Sequence, residues 1–419
     1  MNTEIKLSQE FDKKDPLRKF KKEFITNNNE IYLDGNSLGK LPKKSINKVK
    51  KVLEKQWGVN LIRSWNDYWL NMVYKTSSKL EKLFNASNNE IIIGESTSVY
   101  LYQILSSLLN SKKYNPHFIS DNLNFPSDLY IINGICDSIN SSSKTIINYK
   151  SEIEANIQLL KQTIKDKPGI VTLSLVTFKS SWIYPMKELN EWALKYNSII
   201  VWDLSHAAGA VHIDFKKSKT LTAVGCTYKF LNGGPGSPAY LYIKEGLIKN
   251  IKNPISGWFG HSNPFSFLNK FNQAKGIKKF SNGTPSILSI TPIETGIDLI
   301  LKANTKIIEA KSKKQSEFLK SLIHKFLIPL DFKIESPINP LNRGSHISIS
   351  HPESWRICKS LQNGPLKIIL DYRPPKYIRI GISPLYTSFE DLAKTVLKIT
   401  NIVNKKEYLN YSKEKPRIT

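Results

Sequence analysis

Between about residue 90 and residue 245, short apolar runs alternate with amphipathic stretches. The runs are Glu90–Ile93, His117–Ser120, Thr145–Tyr149, Gly169–Val176, Ile199–Asp203, Ala223–Cys226 and Ala239–Ile243. Most are rich in Ile, Val or Leu and too short for buried helices, so they predict strands. Helical spacing of apolar residues fits between several of them, over Val99–Leu109, Ser127–Ile139, Ile153–Ile164 and Met186–Tyr196. This alternation predicts an α/β layer around a mostly parallel sheet. Ligands of such sheets bind beyond the carboxyl ends of the strands. From Leu288 to Leu327 the pattern predicts a long helix interrupted near Pro292. After Pro329, Pro337 and Pro340 a smaller strand-and-helix region runs to about residue 404. The expected organisation is an N-terminal segment (1–65) reaching both the small domain and the ligand site, a large domain (66–290), a small domain (291–404) and a polar, frayed tail (405–419).

Composition changes this picture little. At 419 residues the chain buries a sizeable core and divides into two or three domains. No run reaches the roughly 18 apolar residues of a membrane span. The charged stretch Met1–Lys22 has no apolar signal core, so the expectation is a cytoplasmic protein. The three cysteines (Cys136, Cys226, Cys358) and seven histidines are scattered, and they predict neither a disulfide framework nor a metal site. A net charge of +26 admits a nucleic-acid partner. The lysines are spread along a chain rich in Lys, Asn and Ile, and no nucleic-acid motif accompanies them, so compositional drift is the preferred reading.

The chemistry-bearing segments fall at the predicted strand ends. Asp203-Leu204-Ser205-His206 closes the run Ile199–Trp202, and Cys226-Thr227-Tyr228-Lys229 precedes the turn-forming Asn232-Gly233-Gly234-Pro235-Gly236. A carboxylate at one strand end and a lysine at the next suit pyridoxal phosphate, whose ring nitrogen needs an acid and whose aldehyde needs an amine. The alternative for Asp203 is an N-cap of a short helix over Ala207–Ala210. Gly94-Glu95-Ser96-Thr97-Ser98 ends a strand and opens a helix, which suits a phosphate, although capping by Ser96 or Thr97 explains the same residues. In Phe125-Pro126-Ser127-Asp128 an aromatic that can stack on a ring precedes a capped helix start.

Taken in order, these segments resemble kynureninase, a fold-type I pyridoxal phosphate-dependent hydrolase of the class V aminotransferase-like superfamily. The resemblance runs through nearly the whole chain. It includes Leu33-Asp34-Gly35-Asn36-Ser37-Leu38-Gly39, Leu61-Ile62-Arg63-Ser64-Trp65, Gly257-Trp258-Phe259-Gly260-His261, Gly283-Thr284-Pro285 and Ile378-Arg379-Ile380-Gly381-Ile382-Ser383-Pro384-Leu385-Tyr386. It implies a seven-stranded, mostly parallel large domain, a smaller C-terminal α+β domain, and a homodimer with active sites at the subunit interface. Lys229 is then the Schiff-base lysine and proton shuttle, Asp203 the partner of the pyridinium nitrogen, His206 a neighbour of the ring and Phe125 its stacking partner. Thr97, Ser98, Ser127, Asp128, Ser174 and Tyr228 surround the cofactor, and Trp258 and Thr284 reach its phosphate from the partner subunit. Arg379 forks the substrate carboxylate, with Ser37 and Ser64 at the substrate end. The implied reaction is hydrolytic cleavage of L-kynurenine, or its 3-hydroxy form, to anthranilate or 3-hydroxyanthranilate and L-alanine, with Tyr228 as candidate acid–base at the carbonyl.

One stretch departs from the family pattern: Phe178-Lys179-Ser180-Ser181-Trp182 stands where Arg-Thr-Gly is common. Two competing readings are a cysteine desulfurase or selenocysteine lyase, which needs a mobile nucleophilic cysteine, and a basic nucleic-acid-binding protein on an inactive scaffold. The only cysteine beyond Lys229 is Cys358, within a predicted amphipathic helix, and buried helical cysteines are usually inert.

Overall fold

The computed structural model describes residues 2–139 and 142–414. Twelve strands are formed among them: β1 (Glu30–Leu33), β2 (Ile91–Ile93), β3 (His117–Asp121), β4 (Ser143–Ile147), β5 (Ile170–Ser174), β6 (Ile199–Asp203), β7 (Thr222–Gly225), β8 (Tyr240–Ile243), β9 (Lys333–Ile334), β10 (His346–Ser350), β11 (Lys367–Arg373) and β12 (Tyr377–Gly381). Seven of them make one sheet in the order β2-β8-β7-β6-β5-β3-β4. Strand β8 runs antiparallel to both neighbours, and the other pairings are parallel. Every residue of β5 and β6 is buried, which is why these strands read as continuous apolar runs with no alternation. Helices Thr97–Asn110, Pro126–Ser138, Ile157–Asp166 and Met186–Lys195 connect the strands. The expected seven-stranded α/β layer is therefore present, with element bounds displaced by a few residues.

The displacements have local causes. The helix expected from Ile153 starts at Ile157, because the Asn156 side chain accepts from the Leu159 N–H and caps it there. The long helix expected over Leu288–Leu327 is three: Ile287–Ile290, Ile293–Ala303 and Thr305–Phe326. Pro292 makes the first break, as expected. The second is Asn304, which adopts φ 66° and caps the following helix by accepting from the Lys306 N–H. Asparagine tolerates that left-handed backbone better than most residues do.

A second sheet, β1-β11-β12-β10-β9, has its own apolar core built from Ile31, Leu33 and residues between 318 and 402. Strand β1 pairs parallel with β11, so a segment near the N-terminus completes a sheet formed otherwise by the last hundred residues. Helix Asn2–Lys13 joins the same body. Asp12 accepts from the Phe389 and Glu390 N–H groups at the start of helix Phe389–Asn404. Nearby, Asp15 and Lys311 form a buried ion pair at 2.6 Å. The tail expected to fray is docked over its described part: Arg356 donates to the carbonyls of Tyr408, Leu409 and Tyr411. Residues 415–419 of that expectation lie outside the described residues.

Candidate active site

Four parallel strands end at one place, and the turns that follow them carry the expected residues. Register places Ser174 beside Asp203 and Asp203 beside Val224. A cavity of about 540 Å³ opens there, lined by Thr97, Ser98, Phe125, Asp128, Tyr228 and Lys229, with Ser127, Asp203 and Cys226 also on its wall.

Each side chain is held by its local turn. Asp203 accepts from the Ser205 N–H and hydroxyl at 2.9 and 2.5 Å, and residues 207–210 form turns instead of a helix. The alternative role of Asp203 as a helix cap is thereby set aside. Ser205 in turn accepts from the Cys226 N–H, tying the two strand ends together. Ser96 caps helix Thr97–Asn110 by accepting from Val99. Thr97 and Ser98, in the first turn of that helix, line the cavity, and an anion is favoured at such a helix start. Asn124, which sequence reasoning missed, orders two expected residues: its carbonyl oxygen accepts from the Phe125 N–H and from the Ser174 hydroxyl. Its signal was present as a polar residue between a strand end and a capped helix.

Lys229 is half-buried on the cavity wall. Its Nζ lies 3.2 and 3.4 Å from the two nitrogens of His206 and 5.7 Å from the Phe125 ring centre. Burial pushes the Lys229 amine below its ordinary value. Burial, then the cationic Lys229 and Arg379, push His206 well down. Burial, reinforced by the charge of Asp203, pushes Asp128 well up, and its Oδ2 has no partner. Burial also raises the Tyr228 hydroxyl, so it stays protonated. The turn after the lysine needs unusual backbone: Asn232, Gly234 and Gly236 have positive φ. Gly39 presses on the lysine from the N-terminal loop, where a Cβ would lie 2.3 Å from the Lys229 carbonyl.

The other wall comes from the second sheet. Arg379 is 1% exposed and Asp371, opposite it in register, 2%. They form a tight ion pair, and Arg373 also donates to Asp371. Arg379 further donates to the Phe178 carbonyl at 2.6 Å and to the Ser37 hydroxyl at 3.1 Å. The stretch that departs from the family pattern thus holds Arg379 through backbone, while the Phe178 ring packs edge-on against Phe125. Burial, then the charge of Asp371, raises Asp34 to about 7. Asp371 was not singled out in the sequence, and Asp34 stood there only as part of the Leu33–Gly39 motif.

Three expected residues lie elsewhere in the chain. Ser64 is buried against the Gln56 carbonyl. Trp258 is 44% exposed and packs with Phe259, Phe265 and Phe267. Thr284 lines a separate cavity of about 270 Å³, which shares Gly94 and Glu95 with the lysine cavity. Cys358 is buried on helix Ser354–Leu361, and burial raises its thiol far above the ordinary value. Among the described residues no His, Cys, Asp or Glu cluster could hold a metal, and no helix is long and apolar enough to cross a membrane.

The residues present fit pyridoxal phosphate. An amine of lowered basicity, a carboxylate fixed at the cavity wall and a helix N-terminus match its aldehyde, ring nitrogen and phosphate. The unpartnered Asp128 oxygen marks a place where a polar group is wanted. Comparison with known proteins agrees. The Aminotransferase class-V family matches residues 31–350, and the Kynureninase C-terminal domain family matches residues 308–399. The chain is 31% identical to kynureninase of Pseudomonas fluorescens over 402 residues, 95% of each chain. It is also 31% identical to kynureninase of Burkholderia mallei (strain SAVP1) over 94% of each chain. Among solved structures, a cysteine desulfurase from Thermococcus onnurineus NA1 superposes with a TM-score of 0.80 over 93% of this chain and 98% of its own, at 18% identity. A C-DES mutant with glycine covalently linked to its PLP cofactor gives 0.81 over 91% and 99%, at 15% identity. These two share the fold. The family profiles and the near full-length relatives establish that this chain, a pyridoxal phosphate-dependent enzyme, belongs to the kynureninase family.

Proposed function

We propose that this chain is a kynureninase, which cleaves the Cβ–Cγ bond of L-kynurenine or 3-hydroxy-L-kynurenine with water and releases L-alanine with the anthranilate. One observation carries the reading: the Lys229 amine lies 5.7 Å from the Phe125 ring centre, and the Phe178 ring packed on Phe125 belongs to the residue whose carbonyl accepts from Arg379, so an amine and a guanidinium brought from different sheets stand on either side of one aromatic pair. That arrangement suits a substrate with both an amino group and a carboxylate.

When bound, pyridoxal phosphate supplies the electron sink for the pair released at the substrate α-carbon. The chain's residues do the rest. Asp203 would hold the ring nitrogen protonated, Thr97 and Ser98 would receive the phosphate at the helix start, and Phe125 would cover the ring face. Lys229, whose amine burial keeps less basic, takes the α-proton and returns it. Arg379, fixed by Asp371, Ser37 and the Phe178 carbonyl, holds the carboxylate. Tyr228, kept protonated by burial, donates toward the γ-carbonyl oxygen as water adds.

A second copy of the chain completes the enzyme in this reading. The exposed apolar residues Trp57, Leu61, Ile62, Trp258, Phe267 and Leu268, with Ile62 76% and Phe267 78% exposed, support that cover. Trp258 and Thr284 then approach the phosphate of the neighbouring site. The cytoplasm is the proposed compartment, supported by three free cysteines.

The test is direct. Protein mixed with pyridoxal phosphate and L-kynurenine, and separately with the 3-hydroxy form, is followed by the fluorescence of the anthranilate released. Release by the wild type but not by Lys229→Ala is expected. Cofactor bound with neither substrate cleaved would overturn the substrate assignment.

A further inference from the structure

His346 opens β10, and no motif gave it a role. Its ring is 0% exposed, and neither nitrogen makes a hydrogen bond of good geometry. Native proteins rarely leave a buried polar side chain in that state unless something else comes to it. Its surroundings say what. Strands β10 and β12 pair antiparallel, with Ser348 opposite Arg379 and His346 opposite Gly381. Cross-strand partners and residues two apart share a face, so His346 and Arg379 stand on the same side of the small sheet. On that side Ser348 donates to the Lys179 carbonyl and Arg379 to the Phe178 carbonyl. The His346 ring centre is 6.2 Å from that of His206, which contacts Lys229.

A second vacancy of hydrogen bonds lies beside the first. Gly381 leaves room on this face that Asn36 fills, since a Cβ there would lie 1.9 Å from the Asn36 Oδ1. Asn36 is also fully buried, and neither polar atom of its side chain has a partner. Two enclosed polar side chains therefore flank Arg379 with four unsatisfied atoms. Burial and then Arg379 push His346 well down, so it is a neutral imidazole carrying one N–H donor and one acceptor. The Phe178 and Lys179 carbonyls lie near the ring as acceptors that partly offset the burial, and neither closes a hydrogen bond of full geometry.

We propose that His346 is a second carboxylate-binding residue, which donates a ring N–H to the α-carboxylate that Arg379 receives. The donor would favour α-amino acids over the corresponding amines, which lack that group. The inference rests on the reading of the site as one for an amino acid, and it does not depend on which amino acid is cleaved.

The test uses the holoenzyme. L-Alanine is titrated into the wild type, His346→Leu and His346→Gln, with binding read from the change in cofactor absorbance. The amine left when kynurenine loses its α-carboxylate is titrated in parallel. Loss of one hydrogen bond to a charged group should weaken L-alanine by about ten- to a hundred-fold in the Leu variant. Gln, which restores an N–H donor, should bind within about threefold of wild type, and the amine should be unaffected by either change. Turnover should show KM rising more than kcat falls. Unchanged L-alanine affinity in the Leu variant, equal weakening of the amine, or a Gln variant as weak as Leu would each overturn the proposal. If the Leu variant does not hold cofactor, His346→Met replaces it in the same comparison. A wild type that binds L-alanine but releases no anthranilate would refute the kynureninase reading while leaving this test intact.

Discussion

The two walls of the site are built in different ways. The large-sheet wall is a row of strand ends, and each functional side chain is fixed within a few residues of itself: Asp203 by Ser205, Phe125 by Asn124, Lys229 by the turn through Asn232 and Gly236. The small-sheet wall is assembled from three stretches far apart in the chain. Ser37 and Asp34 come from the loop after β1, Phe178 from the loop after β5, and Arg379, Asp371 and His346 from the C-terminal sheet. The first wall tolerates changes elsewhere because its geometry is local. The second depends on the docking of two sheets, and its key charge is paired with a residue on the neighbouring strand.

The largest effect that separates the walls is chemical. Lys229→Ala should lower turnover by about 10⁴-fold or more, the upper end of an acid–base contribution, with little change in thermal stability. Anthranilate release and a melting curve together check this. On the other wall, Asp371→Asn should damage stability as well as substrate binding. It leaves the buried Arg379 with weaker compensation, and breaking a buried pair costs about 3–5 kcal/mol. A urea unfolding series and KM measured on the same preparation would show both losses. If KM rises with stability intact, Asp371 acts only by aiming Arg379.

Arg379→Lys keeps the charge and loses the fork, so it should raise KM by about ten- to a hundred-fold while the cofactor spectrum is retained. Normal turnover by that variant would remove Arg379 from the carboxylate site.

Asp34 gives a smaller, pH-dependent effect. Its folded value, raised to about 7 by burial and then by Asp371, stands above that of the unfolded chain, so protonation favours the fold. The stabilising contribution is fully present below the unfolded carboxylate value and is lost as pH rises through about 7. Asp34→Asn should therefore raise the urea midpoint at pH 8 relative to wild type and change it little at pH 4. An equal effect at both pH values would mean that the Asp34 charge is not the cause. The smallest effect is expected far from both walls: Cys358→Ala should leave turnover within about twofold, since a buried thiol of raised value supplies no nucleophile. Complete loss with cofactor still bound would instead favour desulfuration.

The same contrast explains what was legible in advance. Strands β5 and β6 announced themselves because both faces are covered and every residue is apolar or tucked in. Lys229, Asp203 and Phe125 were legible because turn-forming and capping residues stand next to them in the chain. Asp371 was not, since a lone acid between Leu370 and Tyr372 carries no local sign that an arginine on the next strand faces it. His346 was silent for the same reason. The break at Asn304 was hidden because asparagine at a left-handed position is a backbone event, with no period to interrupt.

The sequence by itself determined the order of elements, the α/β layer, the cofactor-binding strand ends and, through the matching order of motifs, the family. Hydrophobic period and turn chemistry are short-range properties, and they survive translation into one dimension. Only the tertiary structure decided that β1 completes the C-terminal sheet, that Ser37 and Phe178 meet Arg379, and that His346 and Asn36 are enclosed on the same side of the small sheet. Those facts depend on which surfaces pack together, and a buried polar group shows its need for a partner only once the water around it has gone.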